Sequence, residues 1–302
     1  MRHLSAGILL SCSLACWAGS PRVSPPAAVG VAVHPVDGRL VVVEGVAGRL
    51  SLGRQIWDGA VDGVWPAASS AIIRLGTTWH LLEFNQDWSV SRVLDLGEKD
   101  WTAPVWNARG SAWLACSEST DRCGIYRAED GSQVREIRAT SGLRALSLSD
   151  AGFEALLRQN DHAVLWSAND ELVPVAEGEG ILGAFAPGGA RLAVIDSSGV
   201  LRLVDVPGVN SKQVEAPADA VGLLWKGELL LTVHRSGEIR RWNERGETVS
   251  AVHCECQPGG VWGAGQGMVR LHDSLKQISH YLDFERGDGS FTMLPAVVPE
   301  IQ

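Results

Sequence analysis

Six residues that could bind an anion or transfer a proton each end a short apolar run. Val42 and Val43 precede Glu44, for example, and Leu156 and Leu157 precede Arg158. Arginine binds carboxylate or sulfate through paired hydrogen bonds, and histidine transfers protons near neutral pH. If the runs are equivalent strands, their ends surround one opening, and we predict a mixed-charge binding ring there. Its members are Glu44, Arg74, Arg158, Asp196, His234 and His272.

A simpler interpretation of these six residues stays open, because strands end where water begins and polar side chains belong there. We assign no catalytic residue. The sequence contains no Gly-x-Ser-x-Gly, His-Glu-x-x-His or Gly-x-x-x-x-Gly-Lys motif. The catalytic alternative is a sugar- or lactone-type hydrolase or lyase built around Asp196, His234 and His272.

The elements that would position these residues recur seven times along the chain. Each unit has apolar runs separated by Gly or Asp turns, and its first run ends near a large residue. These end residues recur at about 40-residue intervals, the period of a four-stranded propeller blade. We predict an all-β fold, a single seven-bladed β-propeller of four-stranded antiparallel blades over residues 29–300. The end residues are His34, Trp65, Trp106, Leu148, Phe185, Trp225 and Trp262.

The fifth unit carries a resemblance to a known superfamily. Phe185-Ala186-Pro187-Gly188-Gly189, followed by Arg191-Leu192-Ala193-Val194, resembles the inner hairpin of WD40-like and TolB-like propeller repeats of the exported bacterial type. Trp166, Trp242 and Val204-Asp205 stand where WD40 repeats carry Trp-Asp. The resemblance implies a propeller, but scaffolds, lectins and hydrolases share that fold, so it implies no single activity.

The twelve tryptophans divide into two groups. Those at repeated positions we expect to fill the space between blades, because large flat rings suit the wedge between twisted sheets. Four break the pattern and are candidates for contact with a sugar or peptide. These are Trp57, Trp79, Trp88 and Trp101.

The charge of the chain excludes one class of partner. The net charge is −9 and basic residues form no run, whereas sequence-independent binding of nucleic acid requires clustered Lys and Arg. We predict no cofactor. The glycine-rich segment at 259–265 precedes no helix pattern, and a dinucleotide site needs a helix start to hold the pyrophosphate. Quinone-cofactor propellers resemble larger chains with regular docking motifs that this sequence lacks.

The N-terminal residues have the composition of an export signal. Residues 1–18 have a polar start, an apolar stretch and a small residue, Ala18, after which cleavage is expected. Residues 19–28 are proline-rich and form a tether. The alternative is a lipid anchor at Cys12 or Cys16, but neither has a full lipobox in a signal of ordinary length. No later segment is long enough to span a membrane. We predict a periplasmic or extracellular protein.

The four cysteines beyond the signal predict two disulfides. Cys116 ends one strand and Cys123 begins the next, so a hairpin would bring them together. For His253-Cys254-Glu255-Cys256 we predict a bridge between the two cysteines. Copper or zinc binding by the two thiolates and His253 is the alternative, but a second ligand pair is lacking and we predict no metal. The function expected is an exported, non-catalytic scaffold that binds a protein, peptide or glycan.

Overall fold

The computed structural model describes residues 28–34, 36–46, 49–67, 69–138, 142–206, 210–263, 268–271, 279–283 and 291–294. Over these residues the chain forms seven antiparallel sheets that follow one another in sequence. Short apolar strands separated by tight turns favour this arrangement. The predicted signal at 1–18 lies outside the described residues, as does the predicted tether apart from Ala28.

The strands of the seven blades run in chain order. Blade 1 contains β1 Ala28–Val33, β2 Arg39–Val46 and β3 Arg49–Ala60. Blade 2 contains β4 Gly63–Pro66, β5 Ser70–Leu75, β6 Thr78–Phe84 and β7 Val90–Glu98. Blade 3 contains β8 Val105–Trp106, β9 Ala112–Cys116, β10 Arg122–Arg127 and β11 Gln133–Arg138. Blade 4 contains β12 Leu143–Leu148, β13 Ala155–Gln159, β14 His162–Trp166 and β15 Leu172–Glu177. Blade 5 contains β16 Leu182–Phe185, β17 Arg191–Ile195, β18 Val200–Asp205 and β19 Asn210–Glu215. Blade 6 contains β20 Ala220–Lys226, β21 Leu229–His234, β22 Glu238–Trp242 and β23 Thr248–His253. Blade 7 contains β24 Trp262–Gly263, β25 Met268–Arg270, β26 Ser279–Asp283 and β27 Phe291–Leu294.

The sheets close into a ring, since β27 of the last blade lies against β3 of the first. The predicted seven-bladed antiparallel propeller is therefore confirmed. Blades 2 to 7 have four strands each, whereas blade 1 has three among the described residues. In this ring the second-to-third strand turns and the connections between blades lie on one side, here called the upper face. The remaining turns form the lower face.

The hydrophobic core lies between the blades rather than at the centre of the molecule. Each of seven apolar clusters joins two neighbouring blades. In β17, Leu192 and Val194 pack toward blade 4, whereas Ala193 and Ile195 pack toward blade 6. Because successive side chains point to opposite faces of a strand, a second strand buried on both faces becomes a continuous apolar run.

The repeated tryptophan has a polar function as well as an apolar one. Trp225 donates from Nε1 to the carbonyl of Ala184 at 3.1 Å, and Trp106 donates to the carbonyl of Trp65 at 2.9 Å. Ala184 immediately precedes the end residue Phe185. Trp65 accepts the bond equivalent to that of Ala184, so it lies near the end of β4, as predicted, but one position before the residue that corresponds to Phe185. Each bond ties a blade to the one before it.

Two of the four tryptophans proposed as ligand contacts are instead core residues. Trp79 and Trp101 are 1% and 7% exposed and belong to the cluster between blades 2 and 3. Ring centroids in this cluster lie 4.9–5.6 Å from their neighbours. Trp57 and Trp88 are half-buried. The six rings of the cluster are Trp65, Trp79, Trp101, Trp106, Trp113 and Tyr126.

Both predicted cysteine pairs lie at disulfide distance. Cys116 and Cys123 are direct partners in the β9–β10 ladder, with Cα atoms 4.0 Å apart. Cys254 and Cys256 have Cα atoms 5.1 Å apart. Among the described residues no three His, Cys, Asp or Glu side chains are grouped as a metal site would require. Over the same part of the chain, no helix is long and apolar enough to cross a membrane.

Candidate functional sites on the two faces

The six residues of the predicted ring do not share one position in their blades. Successive side chains point to opposite faces of a strand, so the packing of the preceding residue shows which way each one points. Arg74, Arg158 and Glu44 follow Ile73, Leu157 and Val43, which pack toward the preceding blade, and therefore point toward the following blade. Asp196 and His234 follow Ile195 and Val233, which pack toward the following blade, and therefore point toward the preceding one. His272 lies outside the described residues.

His234 is buried within the upper end of blade 6. Its Nδ1 lies 3.2 Å from the carbonyl oxygen of Ala218, and its Nε2 lies 3.0 Å from Oγ1 of Thr232. Trp242 donates from Nε1 to the same hydroxyl oxygen at 3.0 Å. A carbonyl only accepts, so the proton of the neutral imidazole belongs on Nδ1, and Nε2 accepts from the Thr232 hydroxyl. Every polar atom of the ring thus has a partner inside the protein.

The environment of His234 opposes its protonation. Its side chain is inaccessible to solvent, and burial lowers the pKa of the imidazole below its ordinary value. The hydrogen bonds connect it to Thr232 and Ala218 rather than to Asp196 or Glu44. These features are those of a structural histidine that holds a strand, a turn and a tryptophan together.

Asp196 caps the second turn of blade 5. Its Oδ1 accepts hydrogen bonds from the amide and hydroxyl of Ser198 and from the amide of Val200. Its Oδ2 accepts from Arg202 at 3.2 Å. Burial alone would raise the pKa of Asp196, but the bonds from Ser198, Val200 and Arg202 outweigh it and the pKa is lowered. The carboxylate is therefore held as an anion by its own turn.

Arg74 and Glu44 each lie against their own blade. The Arg74 guanidinium lies 5.7 Å from the ring centroid of Trp79, on the side of the cleft between blades 2 and 3. The carboxyl of Glu44 covers Gly53 on the neighbouring strand, and a Cβ at Gly53 would collide with it. Neither contact joins the two residues to each other or to Asp196.

Arg158 borders an open pocket on the upper face of blade 4. The pocket has a volume of about 490 Å³ and is lined by polar groups of that blade alone. Arg144, an exposed residue of β12, is the direct cross-strand partner of Arg158. The sequence prediction missed Arg144, although a lone charge inside the apolar run Leu143–Leu148 was a usable signal.

A second opening lies on the lower face, in a groove between blades 5 and 6. This groove, here called the 5/6 groove, has a volume of about 520 Å³. Leu203 is its buried apolar residue, and three basic and three acidic side chains line it. Its other lining residues are Arg191, Asp205, Asn210, Ser211, Lys212, Glu244, Arg245 and Glu247.

Ion pairs fix part of the 5/6 groove. Arg191 lies 3.2 Å from Asp205 within blade 5 and 3.5 Å from Glu244 of blade 6. Lys212 donates to the carbonyl of Arg245 at 2.6 Å across the same boundary. The exposed Arg245 guanidinium forms no ion pair with the described residues. These contacts engage Arg191 and Lys212 and leave the Arg245 guanidinium available to another molecule. The 5/6 groove could not be predicted from the sequence, because its residues come from turns of two different repeats.

No family model and no curated protein matches the sequence, whereas solved structures resemble the fold. A streptogramin B lyase structure has a TM-score of 0.60 at 11% identity, covering 79% of this chain and 83% of its own. The propeller domain of Myceliophteria thermophila Cps50 (Swd1) has a TM-score of 0.56 at 15% identity, with coverages of 78% and 88%. A chain of a mitotic checkpoint complex has a TM-score of 0.55 at 14% identity, with coverages of 85% and 87%.

These likenesses, together with the order of the blades, show the seven-bladed β-propeller fold that the repeats predicted. The similar proteins include a lyase and a member of a complex. Fold alone does not distinguish these activities, so the function must be argued from the sites of this chain.

Proposed function

We propose that the protein is an exported, non-catalytic propeller that binds a segment of a partner protein in the 5/6 groove. The observation that carries the proposal is the arrangement of charge there. Arg191 already bridges two blades, whereas Arg245 projects beside Glu244 and Glu247 without a partner among the described residues. A preformed mixed-charge wall recognises a polypeptide of complementary charge at little ordering cost.

A polypeptide fits this groove better than a small substrate. The lining combines one buried leucine with exposed charged and amide side chains, whereas small-molecule sites are mostly apolar and enclosed. Polar, well-hydrated rims are typical of protein interfaces. One similar structure belongs to a mitotic checkpoint complex, an example of this fold within an assembly.

The catalytic alternative depends on Asp196, His234 and His272. Asp196 is engaged by its own turn and His234 by Thr232 and Ala218. Groups held in this way are poor candidates for proton transfer, because catalysis needs an acid or base within reach of substrate. Two disulfides agree with an oxidising compartment, which supports export.

Site-specific photo-crosslinking in the cells that produce the protein tests the proposed groove. A benzoylphenylalanine at Ser211, an exposed residue of the groove, should form an adduct with one identifiable partner. The matched control is Val134, the corresponding exposed second residue of the outer strand in blade 3. Arg245→Glu should strongly reduce the Ser211 adduct. Equal crosslinking at both positions, or an adduct insensitive to Arg245→Glu, would overturn the groove assignment.

Export is tested separately by intact mass. Protein recovered from the envelope or medium should begin at Gly19 and carry both disulfides. A cytoplasmic chain that retains Met1 would contradict the export part of the proposal, and a lipid-modified Cys12 or Cys16 would replace simple export by anchoring.

A further inference from the structure

The upper pocket of blade 4, on the opposite face from the 5/6 groove, brings two arginines together. Arg144 and Arg158 are direct cross-strand partners in the β12–β13 ladder, and both line the pocket of about 490 Å³. Like charges placed opposite each other in a sheet repel and destabilise it. The pair therefore concentrates positive charge at one point of the channel mouth.

The protein neutralises this charge only in part. Arg158 donates from Nε to the carbonyl of Asn160 at 2.8 Å, and its terminal nitrogen lies 3.8 Å from the exposed carboxylate of Asp161. Within the described part of the chain, no carboxylate pairs with Arg144. Two guanidinium groups and one carboxylate leave a net positive charge of about one, with several donors directed at no protein acceptor.

The walls of the pocket are formed by defined turns. Asn160 adopts a left-handed φ of 54°, which asparagine tolerates better than most residues. On the other side, the amide of Gly142 donates to Asp121 of blade 3 at 2.7 Å. The bond from Arg158 to Asn160 orients the guanidinium toward the opening between these turns. The donors of Arg158 are thus positioned before any ligand arrives.

We propose that this pocket binds the carboxylate group of an anionic small molecule or of an acidic sugar residue. Two guanidinium groups can each present paired N–H donors to a carboxylate. The charge balance favours a carboxylate over phosphate, because Asp161 would repel a second negative charge on the ligand. Arg74 takes no part, since its guanidinium lies against Trp79 in another blade.

The test is an NMR titration of the arginine Nε–Hε signals with D-glucuronate, D-glucose and inorganic phosphate as separate probes. Glucuronate should shift the Arg144 and Arg158 signals in a saturable way, whereas glucose, its neutral analogue, should not. Arg144→Gln should weaken glucuronate binding by about tenfold or more, as expected for loss of a charged hydrogen-bonding partner. Arg138→Gln, which removes an exposed outer-strand arginine, should leave binding unchanged.

Each remaining outcome overturns the proposal. If glucuronate causes no saturable shift, the pocket is not a binding site. If Arg144→Gln and Arg138→Gln weaken glucuronate binding equally, the binding reflects general surface charge rather than this pocket. Phosphate binding at the two arginines that equals or exceeds glucuronate binding would overturn the carboxylate assignment. A matching shift with glucose would show recognition of the sugar hydroxyls instead. None of these results depends on the 5/6 groove.

Discussion

The upper ends of blades 6 and 4 differ although the sequence suggested the same function for both. In blade 6, His234 is buried and both ring nitrogens are hydrogen-bonded inside the protein. In blade 4, Arg144 is exposed beside Arg158, with like charges facing each other. The hydrogen bonds of His234 stabilise the fold, whereas two facing arginines destabilise it. A ligand that neutralises the arginines would account for the pair.

The role of a polar residue at a strand end therefore depends on its hydrogen-bond partners, which decide whether it is structural or available to a ligand. In blade 6 the Thr232 hydroxyl satisfies both buried side chains, because its oxygen accepts a hydrogen bond from Trp242 and its O–H donates one to His234. Blade 4 has Leu157 at the equivalent ladder position. Leu157 packs into the apolar cluster between blades 3 and 4, and Arg158, on the opposite face of the strand, borders the pocket.

The largest effect is expected from Thr232→Val. The substitution keeps the shape of the side chain but leaves the buried Nε1 of Trp242 and Nε2 of His234 without their partner. We expect a loss of about 2–3 kcal/mol in the free energy of unfolding, measured by urea denaturation. Thr232→Ser retains the hydroxyl and should lose clearly less. Equal losses in the two variants would mean that packing, not the hydrogen bonds, dominates at this site.

A smaller loss is expected from Asp196→Ala in blade 5, an intermediate case in which the polar residue caps a turn. The amides of Ser198 and Val200 would lose their acceptor, but both lie near solvent and can recover water. We expect the free energy of unfolding to fall by about 1–2 kcal/mol, the range for lost capping interactions. Asp196→Asn keeps one acceptor oxygen and should lower the free energy of unfolding by less. If Asp196→Ala leaves the free energy of unfolding unchanged, Asp196 does not stabilise the turn.

The pH dependence of stability should distinguish the two blades further. Because burial lowers the folded-state pKa of His234, the unfolded chain binds a proton that the folded chain does not. The stability that the neutral His234 provides is fully present above its ordinary pKa of 6.5, and it is lost as the pH falls toward the pKa of the folded state. Wild type should therefore lose more stability than His234→Gln between about pH 7.5 and pH 5.5. Parallel curves would contradict a neutral, buried His234.

The smallest effect on stability is expected from Arg144→Gln. The substitution removes one member of a repulsive cross-strand pair, so the free energy of unfolding should stay constant or rise by about 0.5 kcal/mol. Chemical denaturation of the variant beside the wild type measures this. A destabilisation above about 1 kcal/mol would show that Arg144 is a structural residue, and the contrast between the blades would disappear.

The fold was predictable because its information is local and repeated. A second strand such as Arg191–Ile195 is an apolar run between two turns, and seven such units determine the architecture. The hairpin pairing of Cys116 with Cys123 followed from the same logic. The first blade departs from the repeat by having three strands among the described residues.

The sites were less predictable because they depend on register and on contacts between repeats. One residue of register places Arg158 and Asp196 on opposite faces of their blades, and no composition signal reveals such a shift. The contact of Arg191 with Glu244 joins residues from two different turns. Burial of Trp79 and Trp101 likewise depends on how blades 2 and 3 pack.

The most direct test of a binding function at the 5/6 groove is the affinity of the partner captured at Ser211 for three purified proteins. Wild type, Arg245→Glu and His234→Gln would be compared at one ionic strength. We expect Arg245→Glu to weaken binding by about tenfold or more, whereas folded His234→Gln should bind as wild type does. Wild-type affinity in Arg245→Glu, with loss in His234→Gln, would contradict it and move the functional site to the upper face.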